Sequence, residues 1–278
     1  MIIRSFILAN LGKVQITHAA LVFHETFENL ENWQHDVTFD VQNNEFQYYR
    51  NDPKNSYLQN NILTINPTLT VLENGNDAWF LHSGTLNLDG SECSSGCSRT
   101  GYWDYIIPPV QSAKITTRQS FSFKYGKVEF EAKLPNGDWL WPAVWMMPKN
   151  DVYGGWPRSG EIDILEARSN EGLDCNGNEV GRKCAVSTLH YGKAWNEKSH
   201  FGGENCLENG DFGDGFHKYE LYWNETGIYS YIDGNLALNR PTGNGFCEGE
   251  WWCGSEDVWA GEAVNAPFDQ EFYSALIS

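Results

Sequence analysis

No stretch of the 278-residue chain runs 18 apolar residues without interruption, so nothing in it reads as a membrane-spanning helix and no membrane insertion is expected. Basic residues are scarce, with 19 Lys and Arg against 37 Asp and Glu for a net charge of −18. No cluster of Lys or Arg stands out either. Nucleic acid and anionic lipid surfaces are therefore excluded as partners, whereas a neutral polysaccharide meets no long-range repulsion. No C-x-x-C pair and no Cys/His array is present, so a zinc site is not expected and no metal is assigned. Internal repeats, Pro-rich linkers and coiled-coil heptads are missing, and helix-period segments are few.

What fills the chain instead is short alternating runs separated by Gly and Asn turns, the pattern of an all-β sandwich. Aromatics are abundant, with 12 Trp, 13 Tyr and 15 Phe. Their broad apolar faces with polar tips suit packing against sugar rings. EFQYYRN (45–51) reads as a strand, and SYLQNNILTINPTL (56–69) as a hairpin turning at Asn60-Asn61. QSAKITTRQSFSFKYGKVEFEAKLP reads as strand, turn at Gly126, strand. HKYELYWNETGIYSYIDG (217–234) reads as a hairpin turning over Asn224–Gly227, where Asn224-Glu225-Thr226 is also an N-glycosylation sequon. The seven cysteines stand at 93, 97, 175, 184, 206, 247 and 253. The close pairs Cys93/Cys97 and Cys175/Cys184 read as loop staples, which implies an oxidising compartment. Residues 1–19, basic then briefly apolar, read as a degraded secretory signal segment. Residues 20–278 then form the domain, opening with a strand over 20–27.

The chemistry concentrates in GGWPRSGEIDILEARSN (154–170). Its carboxylates Glu161, Asp163 and Glu166 follow an E-x-D-x-x-E spacing. On a helix the three would point in three directions. On a strand Glu161 and Asp163 share a face and Glu166 falls on the other, unless one extra residue is inserted. A β-bulge near Ile164-Leu165 supplies that residue and brings all three acids to one face. The outer Cα atoms would then be roughly 13 Å apart. Two Glu side chains leaning over a shorter Asp can approach the separation of about 5–5.5 Å used in retaining glycoside hydrolysis. Three like charges on one face repel, so at least one carboxyl should hold its proton. Taken alone the spacing favours a solvated acidic strand edge, but Trp156, Pro157 and Gly160 beside it turn the reading toward a sugar cleft. Trp139, Trp141 and Trp145 share one face of an extended chain. Trp139 and Trp141, nearer a loop, read as sugar-stacking residues, and Trp145 as part of the core stripe. His190, in the strand-like STLHYG, reads on its own as a satisfied structural histidine, and Asn51 on its own as a turn residue.

GDWLWPAVWMMP followed by YGGWPRSGEIDILEAR resembles the signature of glycoside hydrolase family 16. Within it, the animal β-1,3-glucanase and β-1,3-glucan-binding protein branch is the most similar. EFQYYRNDPKNSYLQNNILTINPTL, CSRTG, FSFKYGKVEFEAKLPNGDW, STLHYG and NAPFDQEFY resemble that branch in the same order, from about residue 21 to 273. The resemblance implies a concanavalin-like jelly roll of two curved antiparallel sheets with a cleft on the concave face. It also implies secretion, a monomer, and an endo-acting, retaining hydrolase of β-1,3-glucan (laminarin) that needs no cofactor. Glu161 would be the nucleophile, Glu166 the acid/base and Asp163 the residue between them. Trp139, Trp141 and Trp156 would stack on glucose units, with His190 as a hydrogen-bonding cleft residue and Asn51 at the cleft edge, where it equally fits a plain turn residue. The alternative is a non-catalytic β-1,3-glucan pattern-recognition protein of innate immunity. Retention of all three acids favours the enzyme. Relatives continue past NAPFDQEFY into further terminal strands, so the C-terminal strands are expected to be missing here. Some members also hold a structural calcium, for which Glu25 would supply the N-terminal half and the expected truncation would remove the other.

Overall fold

The computed structural model describes residues 1–10, 20–41, 45–173, 177, 180–254 and 257–278. Two large sheets dominate it, and within each every strand pair is antiparallel. The outer sheet runs, edge to edge, through Asn235–Pro241, Gly227–Ile232, His217–Asn224, Gly126–Lys133, Ile2–Asn10, Ile62–Ile65 and Ser56–Gln59, with Ala20–Glu25 added alongside Ile2–Asn10. The cleft sheet runs through Glu197–Cys206, Cys184–Ala194, Glu161–Ala167, Ala143–Pro148, Phe272–Ile277, Lys114–Thr116 and Gln34–His35. A third, five-stranded sheet of short segments includes two parallel pairs, a departure from the purely antiparallel expectation. The described residues contain a single four-residue α-helix, Phe80–Ser83, and no helix long and apolar enough to cross a membrane.

Period-two alternation puts the core between the large sheets. Along Gly126–Lys133 every second residue is buried: Gly126, Val128, Phe130 and Ala132. Phe130 stacks on Phe6 at 5.7 Å and on Tyr219 at 5.2 Å within the outer sheet. Val144, Met146, Ile162, Leu189 and Leu276 of the cleft sheet belong to the same buried cluster. The inner strands of the cleft sheet therefore have one apolar face toward this core and one face free to build a site.

The hairpin turns fall where local chemistry places them. Asn60 and Asn61 both adopt positive φ, at 52° and 59°, the primed two-residue turn that Asn tolerates. Asn224 closes the turn before Gly227, its side-chain oxygen accepting from the Thr226 N–H and hydroxyl at 2.8 and 2.7 Å. One strand expectation is corrected. Phe121–Tyr125 is not a strand, since only Phe123 makes an isolated bridge, to Phe272. Ile2–Asn10 is a strand inside the outer sheet, with Phe6 and Leu8 in the core. The last strand, Phe272–Ile277, lies between Lys114–Thr116 and Ala143–Pro148. Disulfides join Cys93–Cys97, as expected, and also Cys184–Cys206 and Cys247–Cys253. The pairing of Cys175 with Cys184 is therefore overturned, because Cys184 bonds its cross-strand neighbour. Cys175 itself lies outside the described residues.

Candidate active site

The acids sit on Glu161–Ala167, an inner strand of the cleft sheet between Ala143–Pro148 and Cys184–Ala194. The bulge lies where the spacing requires it. On one side Val144 pairs with Leu165 and Trp145 with Asp163, skipping Ile164. On the other, three steps from Asp163 to Glu166 oppose two from Thr188 to Val186. The extra residue lets Ile164 and Leu165 both enter the core while Glu161, Asp163 and Glu166 all line one cleft of about 1600 Å³.

Each carboxylate has its own partner. Trp156 donates its indole N–H to Glu161 Oε2 at 2.6 Å, and Trp141 donates its own to Glu166 Oε1 at 3.1 Å. His190 Nε2 lies 3.1 Å from Asp163 Oδ2, on the strand position directly opposite Glu161. The Asp163 side chain is only 6% exposed, and its backbone carbonyl accepts from Ser187 Oγ at 2.7 Å.

Burial is the largest cause raising the pKa of each of the three acids. Glu161 is pushed up to about 8 by burial and then by the Asp163 charge, against the opposing pull of His190 and the Trp156 N–H. Asp163 is pushed well above the carboxylate range by burial and the Glu166 charge. Burial also raises Glu166, opposed by His190, Trp141 and Thr188. Groups this close titrate as a set, and the proton belongs to the triad rather than to one member. Carboxyls raised in this way suit general acid–base chemistry.

The cleft gathers most of the residues singled out in the sequence. Trp139, Trp141, Trp156 and His190 line it with the acids, and Trp139 is 88% exposed at its wall. Asn51 is not in the lining, and its amide donates to Glu92 Oε1 at 3.0 Å instead. Trp145, read as core, also lines the cleft. Alternation had correctly put it on the face of the other tryptophans, but not on which side that face lies. Three lining residues had no signal strong enough to single them out: Tyr49, Trp195 and Lys198. Lys198 sits 4.3 Å over the Trp156 ring and 4.5 Å over the Trp195 ring.

Ligand atoms of Asp163, Glu166 and His190 lie within 4.8 Å of one another and form the one described set that could grip a metal ion without using disulfide sulfur. Glu25 is spoken for by donors. Its carboxylate accepts from the Phe27 N–H, the Asn32 amide and the Trp33 indole at 2.7, 3.2 and 3.1 Å.

The family model for glycosyl hydrolases family 16 matches residues 71–245. A β-1,3-glucan-binding protein of Penaeus monodon is 41% identical across 92% of this chain and 72% of its own length. One from Tenebrio molitor is 34% identical across 92% of this chain, but the match spans only 53% of the beetle protein. A glucan endo-1,3-beta-glucosidase A1 of Niallia circulans is 34% identical over 78% of this chain and 29% of its own length. Among solved structures, LamA from Zobellia galactanivorans in complex with laminaritriose and laminaritetraose superposes with a TM-score of 0.62. The superposition covers 92% of this chain and 86% of that one at 23% identity, and supports the jelly-roll fold alone.

Proposed function

The chain belongs to glycosyl hydrolase family 16, and from that premise we propose that it is a secreted, monomeric endo-hydrolase of β-1,3-glucan acting with retention of configuration. The observation that carries this reading is the bulged strand that lines one cleft with Glu161, Asp163 and Glu166. Glu161 attacks the anomeric carbon while Glu166 gives its proton to the departing glycosidic oxygen, leaving a glycosyl ester on Glu161. Glu166, now ionised, takes a proton from water as that water attacks the same carbon and frees Glu161. The indole N–H groups of Trp156 and Trp141 fix the two carboxylates. Buried Asp163 stands between them, sharing its proton and held by His190. Trp139 and its neighbours offer ring faces to glucose units. The chemistry uses two carboxylates and water and calls for no cofactor. Three disulfides fit an oxidising compartment outside the cell.

A second reading, recognition of β-1,3-glucan without cleavage, is favoured by the names of the shrimp and beetle relatives. Reducing-sugar release from laminarin separates the two, run beside Glu161→Gln and Glu166→Gln. Release by the unmodified protein, lost in both variants, supports the hydrolase. A folded protein that sediments with insoluble β-1,3-glucan yet releases nothing is a recognition protein.

A further inference from the structure

Two exposed tryptophans adopt positive φ among the described residues. Trp139, at 70°, lines the cleft. Trp103, at 48°, does not. It occupies the first central position of a two-residue turn closed by Tyr102 and Tyr105, whose N–H and carbonyl groups exchange bonds of 2.9 and 2.8 Å. That position normally goes to Gly or Asn, because a side chain strains the backbone there. The strain here holds a large ring 75% exposed to water, and a strained outlier is grounds for a functional hypothesis.

Trp103 is not alone. Its carbonyl oxygen lies 3.0 Å from His82 Nδ1. The His82 ring stacks at 5.8 Å on Trp79, which is 70% exposed. Trp79 is fixed in turn, its N–H donating to Asp77 Oδ1 and its carbonyl accepting from Ser83 Oγ. Tyr102, 68% exposed, meets the Trp103 ring edge-on at 6.2 Å. This is a held aromatic platform rather than a scatter of surface rings. The segment carrying it leaves from Thr68–Leu69 and returns at Val110–Ser112, two paired strands that themselves contribute Leu69 and Val110 to the cleft. The platform and this part of the cleft lining thus belong to one continuous segment, 68–112.

We propose that Trp79 and Trp103 form a second polysaccharide-binding site outside the cleft, taking a neutral β-1,3-glucan strand by ring stacking. This rests on the glucan reading above. The net charge of −18 opposes a second copy or an anionic chain as occupant and leaves a neutral one unopposed. Two sites on one polymer bind with an effective concentration that a short oligosaccharide cannot exploit.

The test compares the unmodified protein with a Trp79→Ala/Trp103→Ala double variant and with Trp103→Phe, each checked for an unchanged thermal transition. Binding is measured to insoluble β-1,3-glucan and to laminaritetraose. We expect the double variant to lose about tenfold or more in affinity for the insoluble polymer, with laminaritetraose affinity unchanged and Trp103→Phe close to the parent. Equal polymer binding by parent and double variant overturns the platform and leaves the cleft reading intact. An equal loss for both ligands also overturns it, by placing the defect in the cleft. Failure of the parent to bind either ligand removes the glucan reading and the platform together. A change in sedimentation coefficient in the double variant makes the platform a contact between copies and overturns the proposal.

Discussion

The two large sheets both carry clustered carboxylates, and they treat them in opposite ways. On the outer sheet Glu129 and Glu220 are directly opposite across neighbouring strands. Lysines are threaded between them: Lys127 reaches Glu129 at 2.6 Å and Glu220 at 2.7 Å, and Lys218 reaches them at 2.9 and 3.1 Å. Burial pushes Glu129 up, but Lys127 and Lys218 outweigh it and hold the group below its usual range. Arg4 does the same for Glu131. On the cleft sheet three carboxylates share one bulged strand, and their near neighbours are indole N–H groups and one imidazole rather than lysines. There burial wins and all three acids rise. The chain evidently can neutralise crowded acids. Leaving them crowded and unneutralised on one face only is what an acid–base site demands and what a structural sheet avoids.

The sharpest way to break this comparison is to remove one acid from each sheet. Glu161→Gln or Glu166→Gln should lower laminarin hydrolysis by roughly 10²–10⁴-fold, read as initial rates of reducing-sugar release. Glu129→Gln should leave those rates unchanged. Trp156→Phe keeps a ring on the cleft wall but deletes the donor to Glu161. It should cost about tenfold in kcat, the worth of one hydrogen bond to a charged group, with a smaller change in KM.

Stability against pH sharpens the comparison further, because the two sheets should respond with opposite sign. Glu161 has a folded pKa, about 8, above its unfolded value. The unfolded chain therefore releases this proton first, and stability falls as pH rises from about 4.5 toward 8. Glu161→Gln removes that loss. Its melting temperature should match the parent near pH 4.5 and exceed it by several degrees at pH 8. Glu129 is depressed, so its contribution is present above its unfolded pKa and disappears as pH falls through the folded one. Glu129→Gln should destabilise slightly at pH 7 and not at pH 3. The smallest effect is expected for Lys127→Gln, less than about 1 kcal/mol at pH 7 by urea denaturation, since its pairs are partly solvated.

Much of the site was legible because its signals are local. The E-x-D-x-x-E spacing cannot put three acids on one strand face without an inserted residue, and the insertion at Ile164 follows from that arithmetic. Asn60-Asn61 and Asn224–Gly227 likewise carry their turns in their own backbone preferences. What sequence could not decide depended on distant partners. The odd-numbered tryptophans were seen to share a face, but both faces of a cleft sheet are rich in large side chains, so Trp145 fell to the wrong one. Cys184 was matched with the cysteine near it in sequence, whereas strand pairing puts Cys206 directly opposite. Ile2–Asn10 owes its place to distant partners, the strands Gly126–Lys133 and Ile62–Ile65 on either side of it. Asn51 sits close in sequence to the cleft residue Tyr49, but its own side chain turns to Glu92.

The central claim is that the unneutralised triad performs a double displacement through Glu161. Incubation with an activated 2-deoxy-2-fluoro laminaribioside, followed by peptide mass spectrometry, tests it most directly. The account predicts a glycosyl adduct on the peptide containing Glu161, absent from Glu161→Gln. A folded protein that binds laminarin but forms no adduct, or forms one on another residue, would contradict it.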